Sequence, residues 1–295
     1  MTANASRFDG QVAFVTGAGR GLGRHYALAL AARGARVVVN GRGAAADSPE
    51  RHVVDEIIAA GGEAIAAVAS VTDEGAVAAM VADAIERWGR IDIHVNNAGF
   101  VRDRSFAKLD LDDFRAVIDV HLNGAATVTR AVWNAMLAQG YGRVILTTSS
   151  AGLAGNFGQA AYAAAKMGLV GLMHVLGIEG EKKDVRVNCI APIGVTSMNE
   201  AVLTQEQRDA FPAGRVAPGL LYLAGADAPN RMVLMAGGGS FERAFVTFTK
   251  GRYLGACQPE DVAANFAAIS DRTGERVPSS ARTQAEIELK NARGA

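Results

Sequence analysis

Short apolar runs and amphipathic stretches alternate along most of the chain. Residues 12–16 form an apolar run with a strand's length and β-branched content, and 25–33 read as a helix. A strand at 36–40 follows, then a helix at 48–60 with Ser48 as N-cap and Pro49 at its first position. A strand at 63–71 leads into a helix at 72–88, capped by Thr72 or Asp73, and a strand at 91–95. The series continues with a long helical region at 111–139, a strand at 142–148 and a helix at 160–180. Strands at 185–190 and 232–235 complete it. Repeated βα units with near-continuous apolar strands predict an α/β fold, a doubly wound, Rossmann-like parallel sheet with helices on both faces. Ligands of such a sheet bind beyond the carboxyl ends of its strands.

With 295 residues and 49% apolar content, the chain can bury one large core. No linker or low-complexity tract interrupts it, so a single domain over 1–295 is expected, with a disordered tail at 1–7 and a C-terminal extension at 242–295. The formal net charge is zero and the basic residues are dispersed, which argues against nucleic acid or an anionic membrane as partner. Cys189 and Cys257 suit a reducing compartment and lie in no metal-ligand spacing, so no metal is expected. The first ten residues lack a signal-peptide core, and no apolar run approaches the ~20 residues needed to span a bilayer. The expectation is a cytoplasmic protein.

Two clusters carry chemistry. After the first strand comes Gly17, Gly19, Gly21, Leu22 and Gly23, with Arg20 inside the turn. A strand, a glycine turn and a helix together place a pyrophosphate on a helix N-terminus, where free N–H groups attract anions. The spacing is T-G-x-x-x-G-x-G rather than G-x-G-x-x-G. The second cluster is Tyr162 and Lys166, preceded by Ser149 at the end of a strand. Residues four apart share a helix face, so the ammonium of Lys166 can sit beside the phenol and lower its pKa from about 10. A phenol so tuned exchanges a proton with an alcohol or carbonyl oxygen, and Ser149 can offer its hydroxyl to the same atom. Alone, a tyrosine and lysine at this spacing are common on surface helices; the glycine turn gives them meaning.

Together with Asn97, Ala98 and Gly99 after the fourth strand, these motifs make residues 8–241 resemble the short-chain dehydrogenase/reductase family. The resemblance implies NAD(P) dependence, with Tyr162 as general acid/base, Lys166 tuning it and holding the nicotinamide ribose, Ser149 positioning the substrate oxygen and Ser150 in support. It places Asn97 against the cofactor ribose, Val71 along the cofactor, and Pro192 and Val195 near the nicotinamide. It further implies a homodimer or homotetramer.

Two positions depart from the family pattern. His121 stands forty-one residues before the tyrosine, where an asparagine usually holds a relay water, and Ile193 replaces a common glycine. Asn123 is no substitute, because two residues turn a helix by ~200°. His121, the segment 102–106 and the segment 155–160 look like one branch, the (3R)-hydroxyacyl-CoA dehydrogenase part of peroxisomal multifunctional enzyme type 2 and its bacterial relatives. His121 is then expected in the relay, since histidine both donates and accepts; the alternative is a histidine satisfied by a backbone carbonyl.

For the cofactor, no carboxylate ends the second strand, which reads Asn40, Gly41, Arg42. Arg20 and Arg42 can together hold a 2′-phosphate, so NADP is favoured over NAD. The alternative leaves both solvated and gives the ribose to Asp47 or another group. Ser70 replaces an aspartate that often meets the adenine. The substrate is expected to be an apolar alcohol or ketone under a mobile lid at 196–217, lined by Met198, Val202, Leu203 and Phe211. A 3-hydroxyacyl thioester comes first, a hydroxysteroid second and a 3-oxoacyl carrier-protein substrate third. A catalytically silent NAD(P)-binding sensor is the reading from another class.

Overall fold

The structure is a computed structural model describing residues 7–43, 45 and 47–293, the side chain of Val202 excepted. The expected tail at 1–7 therefore lies outside the described residues, apart from Arg7. The chain divides into two compact units, 1–243 and 244–295, where the sequence reading has one domain with an extension from 242.

In the first unit the order is β1 (Val12–Val15), α1 (Gly21–Ala31), β2 (Arg36–Gly41), α2 (Pro49–Ala59), β3 (Ala64–Val68), α3 (Glu74–Trp88) and β4 (Ile93–Asn96). Then come α4 (Leu111–Ile118), α5 (Gly124–Gln139), β5 (Gly142–Thr147), α6 (Ser150–Ala154), α7 (Ala160–Gly180) and β6 (Val185–Ile193). Two helices, α8 (Gln205–Ala210) and α9 (Ala217–Ala224), precede β7 (Val233–Gly237) and the edge strand β8 (Ser240–Ala244). The sheet runs β3-β2-β1-β4-β5-β6-β7-β8, with parallel pairing from β3 through β7. The chain reverses its direction of winding between β1 and β4, which opens a crevice at their carboxyl ends. Burial on both faces explains the unbroken apolar strands: every residue of β1, β4 and β5 is buried.

Several elements differ from the sequence pattern. The third strand ends at Val68, where its register with Gly41 stops and the chain turns through Ser70 and Thr72. The long helical region at 111–139 is broken by a wide turn, Asp119–Asn123, in which Gly124 N–H bonds the Asp119 carbonyl five residues back. Such π-type turns concentrate at functional sites. Helix α7 and the turn after it, Ala160–Lys183, are long and apolar enough to cross a membrane by length and composition. Here Ala161, Ala165, Leu169, Val170 and Met173 of α7 are core residues.

The base of β5 is fixed by Arg143, which is fully buried. Its guanidinium donates to the carbonyls of Gly225, Asp184 and Ala226 at 3.0, 2.7 and 2.8 Å and to the Asp184 carboxylate at 3.1 Å. One side chain thereby ties β5 to the chain before β6 and after α9. The far end of β5 delivers Thr147 to the crevice and leads on to Ser149.

In the second unit, α10 (Pro259–Ala264), α11 (Phe266–Ile269) and α12 (Arg282–Ala292) are joined by a bridge between Phe248 and Arg276. Thr249 Oγ1 donates to the Ile269 carbonyl and Asn291 Nδ2 to that of Lys250, both at 2.9 Å.

Candidate active site

A cavity of about 830 Å³ lies at the carboxyl ends of the strands. Of the residues singled out in the sequence, Gly17, Gly19, Arg20, Gly21 and Leu22 line it, as do Arg42, Val71, Asn97, Ala98 and Gly99. His121, Tyr162, Lys166 and Pro192 complete that set. Ser149, Gly23 and Val195 are not on its wall.

The glycine turn is held from below. Thr16 is buried, and its Oγ1 accepts the N–H groups of Asn97 and Ala98 at 2.9 and 3.1 Å. Asn97 Nδ2 donates to the carbonyls of Thr16 and Gly17 at 3.1 and 3.2 Å. The amide expected against a ribose is thus committed to fixing the turn. Gly23 serves the same packing: a Cβ there would meet the Gly17 carbonyl and come within 2.6 Å of Asn97 Nδ2. Gly17 has φ +61°, a conformation that favours glycine. This narrow, donor-rich turn at the start of α1 fits a dinucleotide pyrophosphate.

At the other side, α7 presents Tyr162 and Lys166 to one space, as their spacing predicts. Ser149 caps α6, its Oγ accepting Ala151 N–H at 3.1 Å, and its side chain acts on the Tyr162 hydroxyl. Burial raises the Tyr162 pKa above the ordinary phenol value; the Ser149 hydrogen bond pulls it down, and Asp103 pushes it up. Lys166 is 3% exposed, with Nζ 2.5 Å from the Thr147 carbonyl and 5.4 Å over the Tyr162 ring. Burial depresses its pKa to about 7. The ammonium stands over the Tyr162 ring and against the Thr147 carbonyl, and burial is the largest influence on the phenol.

His121 sits in the wide turn between α4 and α5, 2% exposed and edge-on to Tyr162, with ring centres 5.2 Å apart. Its Nε2 lies 2.6 Å from the Phe100 carbonyl, and its buried Nδ1 has no partner among the described residues. Burial, then the nearby Lys166 charge, drive its pKa down to about 3, so it is neutral at ordinary pH. The backbone-satisfied reading describes Nε2, which meets both the carbonyl of Phe100 and its N–H, the latter at 2.9 Å; Nδ1 is the nitrogen without a partner among the described residues. Gly99 makes room for the ring, since a Cβ there would lie 2.8 Å from both nitrogens. Asn123 is exposed and bonds Asp119 at 2.8 Å.

At the end of β2, Arg20 and Arg42 are exposed on the cavity rim. Asp47 is exposed, pairs with His52 and does not line the cavity. Ser70 is on the wall, bonded to Thr72 at 2.8 Å. Glu50, from the first turn of α2, also lines this end. Sequence reasoning missed it, because an acid early in a helix is ordinarily a solvated partner of the dipole. Thr147, Gly194 and Thr196 were missed too; each lies at or beyond a strand end, the one signal that could have found them.

The segment at 196–217 folds as short turns around α8, whose Thr204–Gln207 capping box closes its start. Val195 N–H bonds the Phe211 carbonyl at 2.8 Å, so Val195 serves the base of this segment. Met198 lines the cavity; Leu203 and Phe211 do not. Ile193 is exposed.

A phenol and a serine hydroxyl held together beside a glycine-walled groove are the equipment of an oxidoreductase working on a CH–OH group. Similarity assigns the lineage: the short chain dehydrogenase family model matches residues 11–208, and the chain belongs to that family. The mouse peroxisomal multifunctional enzyme type 2 is 46% identical over 227 residues, 75% of this chain and 30% of that protein. A short-chain type dehydrogenase/reductase of Mycobacterium tuberculosis is 41% identical over 275 residues, 90% of this chain and 96% of that one. The structure of full-length peroxisomal multifunctional enzyme type 2 from Drosophila melanogaster superposes with a TM-score of 0.84 at 35% identity, covering 98% of this chain and 50% of that one. This chain therefore spans about a third to a half of those multifunctional relatives.

Proposed function

We propose that the protein catalyses reversible hydride transfer between a nicotinamide dinucleotide and a secondary alcohol or ketone, with a 3-hydroxyacyl thioester as substrate class. The observation carrying this reading is that Tyr162, with the Lys166 ammonium over its ring, lines the same cavity as the glycine turn. The dinucleotide, when bound, supplies or accepts the hydride. Tyr162, protonated at neutral pH by its raised pKa, gives its proton to the oxygen of a ketone being reduced and takes it back in the reverse direction. Ser149 Oγ donates to the same oxygen as charge develops on it. Lys166, over the Tyr162 ring and on the same cavity wall, is the residue that would hold the nicotinamide ribose. His121 Nδ1, without a partner among the described residues, is the ring nitrogen that would bond a relay water.

The thioester rests on the similarity to multifunctional enzyme type 2 and on the apolar wall made by Phe100, Val120 and Met198. Acyl-CoA, steroid and simple alcohol substrates, each assayed with NAD and NADP by nicotinamide absorbance, test it. Turnover should be highest with a 3-hydroxyacyl thioester; no absorbance change with any alcohol would sink the enzyme reading.

A further inference from the structure

Glu50 is 7% exposed, and its Oε2 has no hydrogen-bond partner among the described residues. Its carboxylate occupies a slot formed by three glycines. A Cβ on Gly19 would lie 2.9 Å from Oε1, one on Gly43 would lie 2.5 Å from Oε2, and one on Gly41 would overlap Oε1. The slot opens on the cavity at the end away from Tyr162, past the pyrophosphate turn, where the adenosine ribose of a dinucleotide falls. An acid in a helix's first turn needs no burial to benefit from the dipole. A buried carboxylate lacking donors is costly, and a ribose diol brings the donors it lacks. A 2′-phosphate brings only acceptors and negative charge.

We propose, on the reading that this cavity holds a nicotinamide dinucleotide, that Glu50 is its specificity-determining residue, accepting hydrogen bonds from the adenosine ribose hydroxyls and excluding a 2′-phosphate. The protein is then NAD-selective, against the preference that Arg20 and Arg42 suggest in sequence. Those side chains stand exposed on the rim with the carboxylate seated between their segments.

Binding alone tests this. The purified full chain is titrated with NADH and with NADPH, without substrate, following nicotinamide fluorescence; AMP and adenosine 2′,5′-bisphosphate then compete for the NADH site. NADH should bind at least about tenfold more tightly than NADPH, and AMP should compete better than the bisphosphate. Glu50→Gln should shrink the NADH/NADPH ratio mainly by improving NADPH binding, and Glu50→Ala should do so further. Tighter NADPH binding to the wild type, or an unchanged ratio in both variants, overturns the assignment while leaving the dinucleotide reading standing. Binding of neither dinucleotide overturns both.

Discussion

The ammonium of Lys166 lies over the ring face of Tyr162, 5.4 Å from its centre, and Ser149 is the neighbour that lowers the pKa of the phenol. The group that draws the phenol toward ionisation is therefore the serine, working against burial and against Asp103.

Ser149→Ala should consequently move the pH dependence of alcohol oxidation. Oxidation needs the phenolate, so its rate rises with pH through the Tyr162 pKa. Loss of the hydrogen bond that lowers that pKa shifts the rise to higher pH. A pH–rate profile of wild type and variant measures it; coincident profiles would contradict the coupling.

Tyr162→Phe removes the proton donor and keeps the ring that packs on His121 and Lys166. Turnover should fall by about 10²–10⁴-fold, the usual worth of a general acid–base. Dinucleotide affinity, read by fluorescence, should persist. A variant turning over at near-normal rate would end the assignment.

Acid should destabilise the fold through two neutral histidines. His94 is fully buried, with its pKa depressed to about 4, and His121 to about 3, both chiefly by burial. Unfolded, each titrates near 6.5. The unfolded chain thus binds more protons below that value, and stability falls as pH drops from 6.5 toward 4. Each histidine contributes up to about 1.4 kcal/mol per pH unit. Lys166, depressed to about 7, adds slope mainly above that value, since well below it the group is protonated in both states. Denaturant titrations at several pH values should show a shallower acid slope for His121→Asn, and an unaltered slope would refute this account.

Gly23→Ala should abolish dinucleotide binding, because the added methyl collides with the Gly17 carbonyl and with the Asn97 amide that holds the turn. Equilibrium dialysis against NADH gives the answer; retained affinity would show the turn to be adaptable.

Arg143→Leu should cost about 2–4 kcal/mol, since it strands the carbonyls of Gly225, Asp184 and Ala226, while the Asp184 carboxylate keeps Arg186. Chemical denaturation checks the magnitude, and a loss under about 1 kcal/mol would mean water replaces the guanidinium.

Much of this was legible in order and spacing. Residues 12–16 read as a buried strand because both its faces are covered, and Tyr162 and Lys166 share a face because their helix is regular. Other features depend on partners distant in sequence. Asn97 bonds Thr16 and Gly17, some eighty positions away. The Glu50 slot exists only because Gly19, Gly41 and Gly43 converge. Helix α6, five residues long, is too short to show a period, and the turn at 119–123 keeps helical composition while changing its hydrogen bonding. The division at residue 243 has no linker composition to announce it.

That wide turn holds one residue more than a regular helical turn, so everything downstream is re-phased by about 100°. Excising a residue between 119 and 123 would mend the hydrogen-bond ladder. It would also swing either His121 away from Tyr162 or Val128, Val132 and Met136 out of the interior. The histidine and the apolar stripe of α5 are geared to a single irregularity, and no drift toward a smoother helix can keep both.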